Sequence, residues 1–268
     1  MAKWKNILVE RSGSLGKITL NRPDARNSLD NATASEVLES LHHHFRDEQV
    51  RSIVITGVGD AFCAGGDLKQ MHALSSMSGD EAYAWPTAIV DAHKAMLAAD
   101  KPVIAAVNGP AMAGGMGLAG MCDIIVAIKD AQFAMPEVKI GLFPMIIVAQ
   151  LSRSIPRKHL LEMMMTGDAI DAVEAYRLGF VNKLAEDKAD MDAIVEDYAR
   201  RFEKTSPTAI ALGRRAFTLL SDMPAAQAID AAQFLNLPFF FGNDLKEGAD
   251  AFFEKRKPRW KPFRRKSE

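Results

Sequence analysis

Apolar and polar positions change their rhythm several times along this chain. Residues 6–10 (NILVE) and 16–20 (GKITL) alternate on either side of Ser12-Gly13 and predict a hairpin. From Ala32 to Asp47 the apolar positions Ala34, Val37, Leu38, Leu41 and Phe45 recur at helical spacing, with Asp30 placed as the N-cap. The runs SIVIT (52–56), VIAAV (103–107) and IIVA (124–127) are continuously apolar, as strands covered on both faces are. Helices are predicted near Leu68–Ser75, over 86–98 and after the glycines at 114–117. Strands alternating with helices indicate an α/β body with a parallel sheet. Further helices lead to about Ser206, and residues 207–256 read as helical throughout. This divides the chain into an α/β core, 1–205, and a helical C-terminal domain, 206–268.

Composition narrows the class. The 268 residues are 48% hydrophobic and 25% charged, ordinary for a globular protein. No apolar run approaches the ~20 residues that span a bilayer. No membrane association is expected, and the N-terminal residues carry no apolar secretory stretch. Cys63 and Cys122 cannot build a disulfide framework or a four-ligand zinc site. A reducing, cytoplasmic setting is expected. The last fourteen residues, KRKPRWKPFRRKSE, hold eight Lys/Arg against one Glu, so the rest of the chain is acidic. Such a tail is either a solvated terminus or meets an anionic group, whether a ligand phosphate, a nucleic acid, a membrane surface or an acidic subunit.

Three segments can carry chemistry. Phe62-Cys63-Ala64-Gly65-Gly66-Asp67-Leu68 and Asn108-Gly109-Pro110-Ala111-Met112-Ala113-Gly114-Gly115-Met116-Gly117-Leu118 each run from a strand through glycines into a helix. Turns of this kind expose backbone N–H groups where a helix begins. Two of them together can form an oxyanion hole. Gly115, Gly117 and Gly120 formally match the dinucleotide fingerprint, but Gly115 lies eight residues beyond Val107, too far from the strand for that motif. The third segment, Ala131-Gln132-Phe133-Ala134-Met135-Pro136-Glu137, sets a carboxylate among apolar neighbours. Burial there would raise its pKa toward that of a working general acid/base. His42-His43-His44 cannot converge on one ion, because successive helical side chains point ~100° apart. Cys63 has no His–acid pattern to activate it and reads as a packing residue.

In combination, FCAGGDL, KPVIAAVNGPAMAGGMGLAGMCDIIVA, AQFAMPEVKIGLFP and FFEKRKPRW resemble the enoyl-CoA hydratase/isomerase, or crotonase, family, from about Asn6 to Trp260. The resemblance implies an α/β spiral of ββα units with a C-terminal helical trimerisation domain. It implies an acyl-CoA thioester substrate, no separate cofactor or metal, and a homotrimer or homohexamer without nucleic acid. Gly66 and Gly114 match the oxyanion-hole positions, and Glu137 a catalytic glutamate. Ala64, Asp67, Leu68 and Lys69 match the stretch that cradles CoA. The Arg22–Arg26 loop, with Arg26, and Lys255 match CoA-facing positions.

Two departures bear on the reaction. Where hydratases of the family carry a second glutamate, this chain has Gly117. Where they carry a small, Gly-rich stretch, it has Pro144-Met145-Ile146-Ile147-Val148. With Phe143 and Met145 on an apolar acyl pocket and Glu137 as single carboxylate, a 1,3-proton shift fits better than hydration. Glu162 or another acid could replace the missing group. Hydration by such a route, other reactions of the family, and a non-catalytic CoA- or RNA-binding relative are the alternatives.

Overall fold

The computed structural model describes residues 4–264. Its strands are β1 (Ile7–Ser12), β2 (Leu15–Leu20), β3 (Ser52–Gly57), β4 (Val103–Val107), β5 (Ala111–Met112), β6 (Ile124–Ile128), β7 (Gln132–Ala134), β8 (Ile170–Asp171) and β9 (Lys183–Ala185). The main sheet has the order β1-β2-β3-β4-β6-β9, antiparallel between β1 and β2 and parallel thereafter. A small second sheet, β5-β7-β8, lies where the sequence predicts only loops and helices. Its strands are two or three residues long, too short to show a period.

The helices are α1 (Asn31–Arg46), α2 (Leu68–Ala73), α3 (Gly79–Ala84), α4 (Thr87–Leu97), α5 (Gly114–Gly120), α6 (Met145–Leu151), α7 (Arg157–Thr166), α8 (Ala172–Arg177) and α9 (Lys188–Glu203). After Ser206 come α10 (Pro207–Ser221), α11 (Ala225–Leu235), α12 (Leu237–Phe240) and α13 (Asn243–Phe253). Asp30 caps α1 as predicted, its carboxylate accepting from the Thr33 N–H at 2.7 Å.

The continuous apolar strands serve two cores. Ile53, Ile55, Val103, Ala105 and Val107 face α1 and α4, meeting Val37, Leu41, Ala92 and Met96. Val54, Ile104, Ala106 and Val126 face α9, meeting Met191 and Val195. Burial on both faces explains why β3 and β4 show no alternation. Among the described residues no helix is long and apolar enough to cross a membrane.

The histidine tract divides as its helical spacing requires: His42 and His43 are exposed, and His44 is buried. A Cβ at Gly16 would stand 2.7 Å from its ring, so that strand glycine makes room for the imidazole. The tail, as far as Arg264, is docked on the body. Arg256 pairs with Glu247 at 2.6 Å, the Trp260 indole donates to the Lys204 carbonyl at 2.9 Å, and Arg264 pairs with Glu48 at 2.8 Å. The last four basic-tail residues lie outside the described residues.

Candidate active site

The two glycine-rich turns are stitched side by side by backbone hydrogen bonds. Phe62 N–H donates to the Pro110 carbonyl at 3.2 Å, and Met112 N–H to that of Cys63 at 2.9 Å. Buried Asn27 and Asn108 hold the preceding segment. The Asn27 amide donates to the carbonyls of Val58 and Ala61, and that of Asn108 to Gly59, while the Asn108 side-chain oxygen accepts from Gly57 N–H. Side-chain amides thus satisfy loop groups that the sheet cannot.

The first turn needs Gly65. Its φ is +91°, and a Cβ there would meet the Ala113 methyl at 2.7 Å and the Met112 carbonyl at 2.8 Å. Ala113, opposite, holds φ 51° and ψ −125°, a conformation that L residues rarely adopt. Such strain costs roughly 1–3 kcal/mol and persists where the surroundings enforce it. Here Ala113 N–H is fixed to the Ala134 carbonyl at 2.8 Å, and the twist sets the direction of the next peptide, that of Gly114. A Cβ on Gly114 would stand 3.8 Å from the Gly66 nitrogen. Among the described residues neither the Gly66 nor the Gly114 N–H donates to a protein acceptor. Two adjacent free donors at turns rigidly held from behind are what an oxyanion hole requires.

Both glycines line a cavity of about 520 Å³ whose wall is mostly apolar. Ala64, Leu68, Phe143, Met145 and Glu137 line it too, so these sequence-predicted residues are brought together. Glu137 sits in a 3₁₀ turn, Pro136–Ile140, closed by Gly141 in the left-handed region. One carboxylate oxygen, Oε2, is buried with no hydrogen-bond partner. Burial pushes the carboxyl pKa above its usual value, partly offset by a hydrogen bond from its own backbone N–H. The other acid on the wall, Asp30, is engaged: it caps α1 and pairs with Arg22 at 3.2 Å.

Other predicted positions stand apart from the cavity wall. Asp67 caps α2, accepting from the Lys69 N–H at 3.1 Å, and pairs with Arg22 at 3.1 Å. Lys69 is exposed. Arg26 is exposed in a left-handed turn, and its carbonyl accepts from Ala64 N–H. Lys255 is exposed just beyond α13. Glu162 is exposed on α7 and faces a separate surface hollow. Cys63 is buried, and burial drives its thiol up to about 12, so it carries no thiolate.

Gly117 lies behind the wall. A Cβ there would collide with the side chain of Ile147, itself buried, and would stand 3.8 Å from Cε1 of His93. Gly115 packs on the Cys63 carbonyl and Gly120 on Leu151 and Phe180. The glycines that imitate a dinucleotide fingerprint are therefore packing glycines. His93 also lines the cavity, and the sequence reading missed it. Its signal was present: His93 stands four residues after Ile89 and three before Met96, on the buried stripe of α4.

Comparison with known proteins agrees with this architecture. The enoyl-CoA hydratase/isomerase family model matches residues 10–263. A carnitinyl-CoA dehydratase of Citrobacter koseri is 37% identical over 94% of this chain and 96% of its own. The mitochondrial enoyl-CoA hydratase of Pongo abelii is 36% identical over 97% of this chain and 89% of its own. The crystal structure of a Mycobacterium smegmatis enoyl-CoA hydratase superposes with a TM-score of 0.89 at 33% identity, over 96% of this chain and 99% of that one. These neighbours share the crotonase fold that the motifs imply. With paired glycine turns, a buried carboxylate oxygen without a partner and a match running nearly end to end, this chain belongs to the enoyl-CoA hydratase/isomerase family.

Proposed function

We propose that this enzyme acts on an unsaturated acyl-CoA thioester and moves its double bond, with Glu137 as the single acid/base. The supporting observation is the pairing of free Gly66 and Gly114 N–H donors with one carboxylate, its Oε2 unpartnered, on a mostly apolar wall. The thioester carbonyl would accept from the two N–H groups, which lowers the cost of the enolate. Glu137 would take a proton from C2 of a 3-enoyl-CoA. The electron pair then delocalises over the dienolate, and return of the same proton at C4 leaves a 2-enoyl-CoA. No atoms are gained or lost. A raised pKa suits a group that must both accept and return that proton.

Syn hydration would instead need a held water and, in the usual two-carboxylate arrangement, a second acid. Ile147 fills the space beside Gly117 where that acid would project. The coenzyme arrives as part of the substrate, so no separate cofactor is invoked. The apolar side chains exposed on the C-terminal helices, such as Phe217 and Phe252, support assembly into a trimer or a dimer of trimers. The deciding experiment is incubation with matched 2-enoyl- and 3-enoyl-CoAs followed by mass and retention-time analysis. A shift in retention at constant mass is expected; a dominant product heavier by one water would overturn the isomerase reading.

A further inference from the structure

His93 is a further titratable group on the cavity wall, and the mechanism above leaves it idle. It lies on α4, only 7% exposed, and forms with Ile146 part of the wall between the cavity and a second one of about 740 Å³. Its Nε2 is buried with no hydrogen-bond partner among the described residues. Its Cε1 stands 3.8 Å from where a Gly117 side chain would begin. Gly117 follows Gly114 by three residues on α5, a rise of about 4.5 Å. His93 and Gly114 line the same cavity, so an acyl chain whose thioester oxygen sits at the Gly114 N–H shares that space with the imidazole.

What the ring can do follows from its charge. Burial lowers its pKa to about 4, so it is neutral near pH 7. A neutral imidazole of that basicity is a poor proton shuttle beside Glu137. It still offers one N–H donor and one lone-pair acceptor. Its neighbours on the wall, Ile89, Ile146 and Ile147, suit hydrocarbon and cannot satisfy it. A plain acyl chain leaves the imidazole unpaired among apolar side chains, and a chain bearing oxygen does not.

We propose that His93 is a specificity-determining residue that hydrogen-bonds a hydroxyl or carbonyl oxygen carried on the acyl chain within the first few carbons beyond the thioester. The inference rests on the acyl-CoA reading of the site. The contact moves no proton; it selects and orients the chain.

The test is calorimetric titration of the Glu137→Gln variant, which blocks turnover, with pentanoyl-CoA, 3-hydroxypentanoyl-CoA and 4-hydroxypentanoyl-CoA. At least one hydroxy chain should bind roughly tenfold more tightly than pentanoyl-CoA. Adding His93→Phe should abolish that preference while pentanoyl-CoA binds as well or better. Adding His93→Gln, which keeps a donor and an acceptor, should retain part of it. Equal affinity for all three chains, or a preference that survives His93→Phe, overturns the role of His93 while leaving the acyl-CoA reading intact. Binding of none of them overturns both. Should the Phe variant lose its native circular dichroism, the three-ligand comparison and the Gln variant decide the matter.

Discussion

The two glycine-rich turns use the same residue for opposite ends. At Gly114 an added Cβ finds nothing closer than 3.8 Å, and at Gly66 it meets only the flexible Met71 thioether, at 2.9 Å. At Gly65, Gly115 and Gly117 it strikes backbone or a buried side chain. The first pair keeps space for a ligand; the second group surrenders it to the protein's own packing. A glycine in a motif is therefore uninformative until one knows what occupies the volume beside it. Under the proposed mechanism the labour of the site is divided: the turns would hold an oxygen in place, and Glu137 would move a proton.

That division can be broken most sharply at Glu137. Glu137→Gln should lower kcat by about 10²–10⁴-fold while acyl-CoA affinity stays nearly unchanged. Isothermal titration beside steady-state kinetics checks both halves; a variant retaining more than about a tenth of the rate would remove Glu137 as the main base. The same carboxyl fixes the pH dependence. Its pKa is raised in the folded state, so the basic form appears only above the usual carboxylate range. kcat/KM should rise with pH through that raised value. Stability should fall over the same interval, because the native state binds the proton more tightly than the unfolded chain. Glu137→Gln should flatten both curves, measured by initial rates and by denaturant midpoints.

At the ligand-facing glycines, Gly114→Val should fold with a nearly unchanged midpoint yet lose about 10²-fold in rate, as the side chain crowds the bound oxygen. A fully active Gly114→Val protein would place the oxyanion hole elsewhere. The packing glycines should behave in reverse. Gly117→Glu should cost about 3 kcal/mol or more, from overpacking against Ile147 and from an unpaired buried carboxylate, with no gain in hydration. Urea denaturation and a crotonyl-CoA hydration assay measure the two quantities. The smallest effect belongs to the tail. Truncation after Glu254 removes the surface ion pairs of Arg256 and Arg264 together with the half-buried Trp260 and its hydrogen bond to Lys204, and should lower Tm by a few degrees. A large loss of assembly on a sizing column would assign the tail to the subunit interface instead.

The sequence made the sheet legible because β3 and β4 are buried on both faces and so are continuously apolar. Gly66, Gly114 and Glu137 could be singled out only through the family resemblance, and the structure sets all three on one cavity wall. The sequence could not show that Asp67 spends its carboxylate on a helix cap and on Arg22, because that ion pair closes across 45 positions. Nor could it show the docked tail, whose Trp260 reaches back to Lys204, or the short strands of the second sheet. His93 escaped because a lone histidine in an amphipathic pattern looks like an ordinary partly buried residue. Its lack of a partner is a property of the packed state alone.

The contact between Gly117 and Ile147 bears on how such an enzyme could change its chemistry over generations. A carboxylate at 117 is not accepted while isoleucine stands at 147. Shortening Ile147 first would open a void costing about 2–4 kcal/mol with no new activity in return. Either single step is a loss, and only the pair together could restore a second acid. The two positions are thus expected to be epistatic, so a library that varies 117 and 147 together samples combinations that single-site libraries miss.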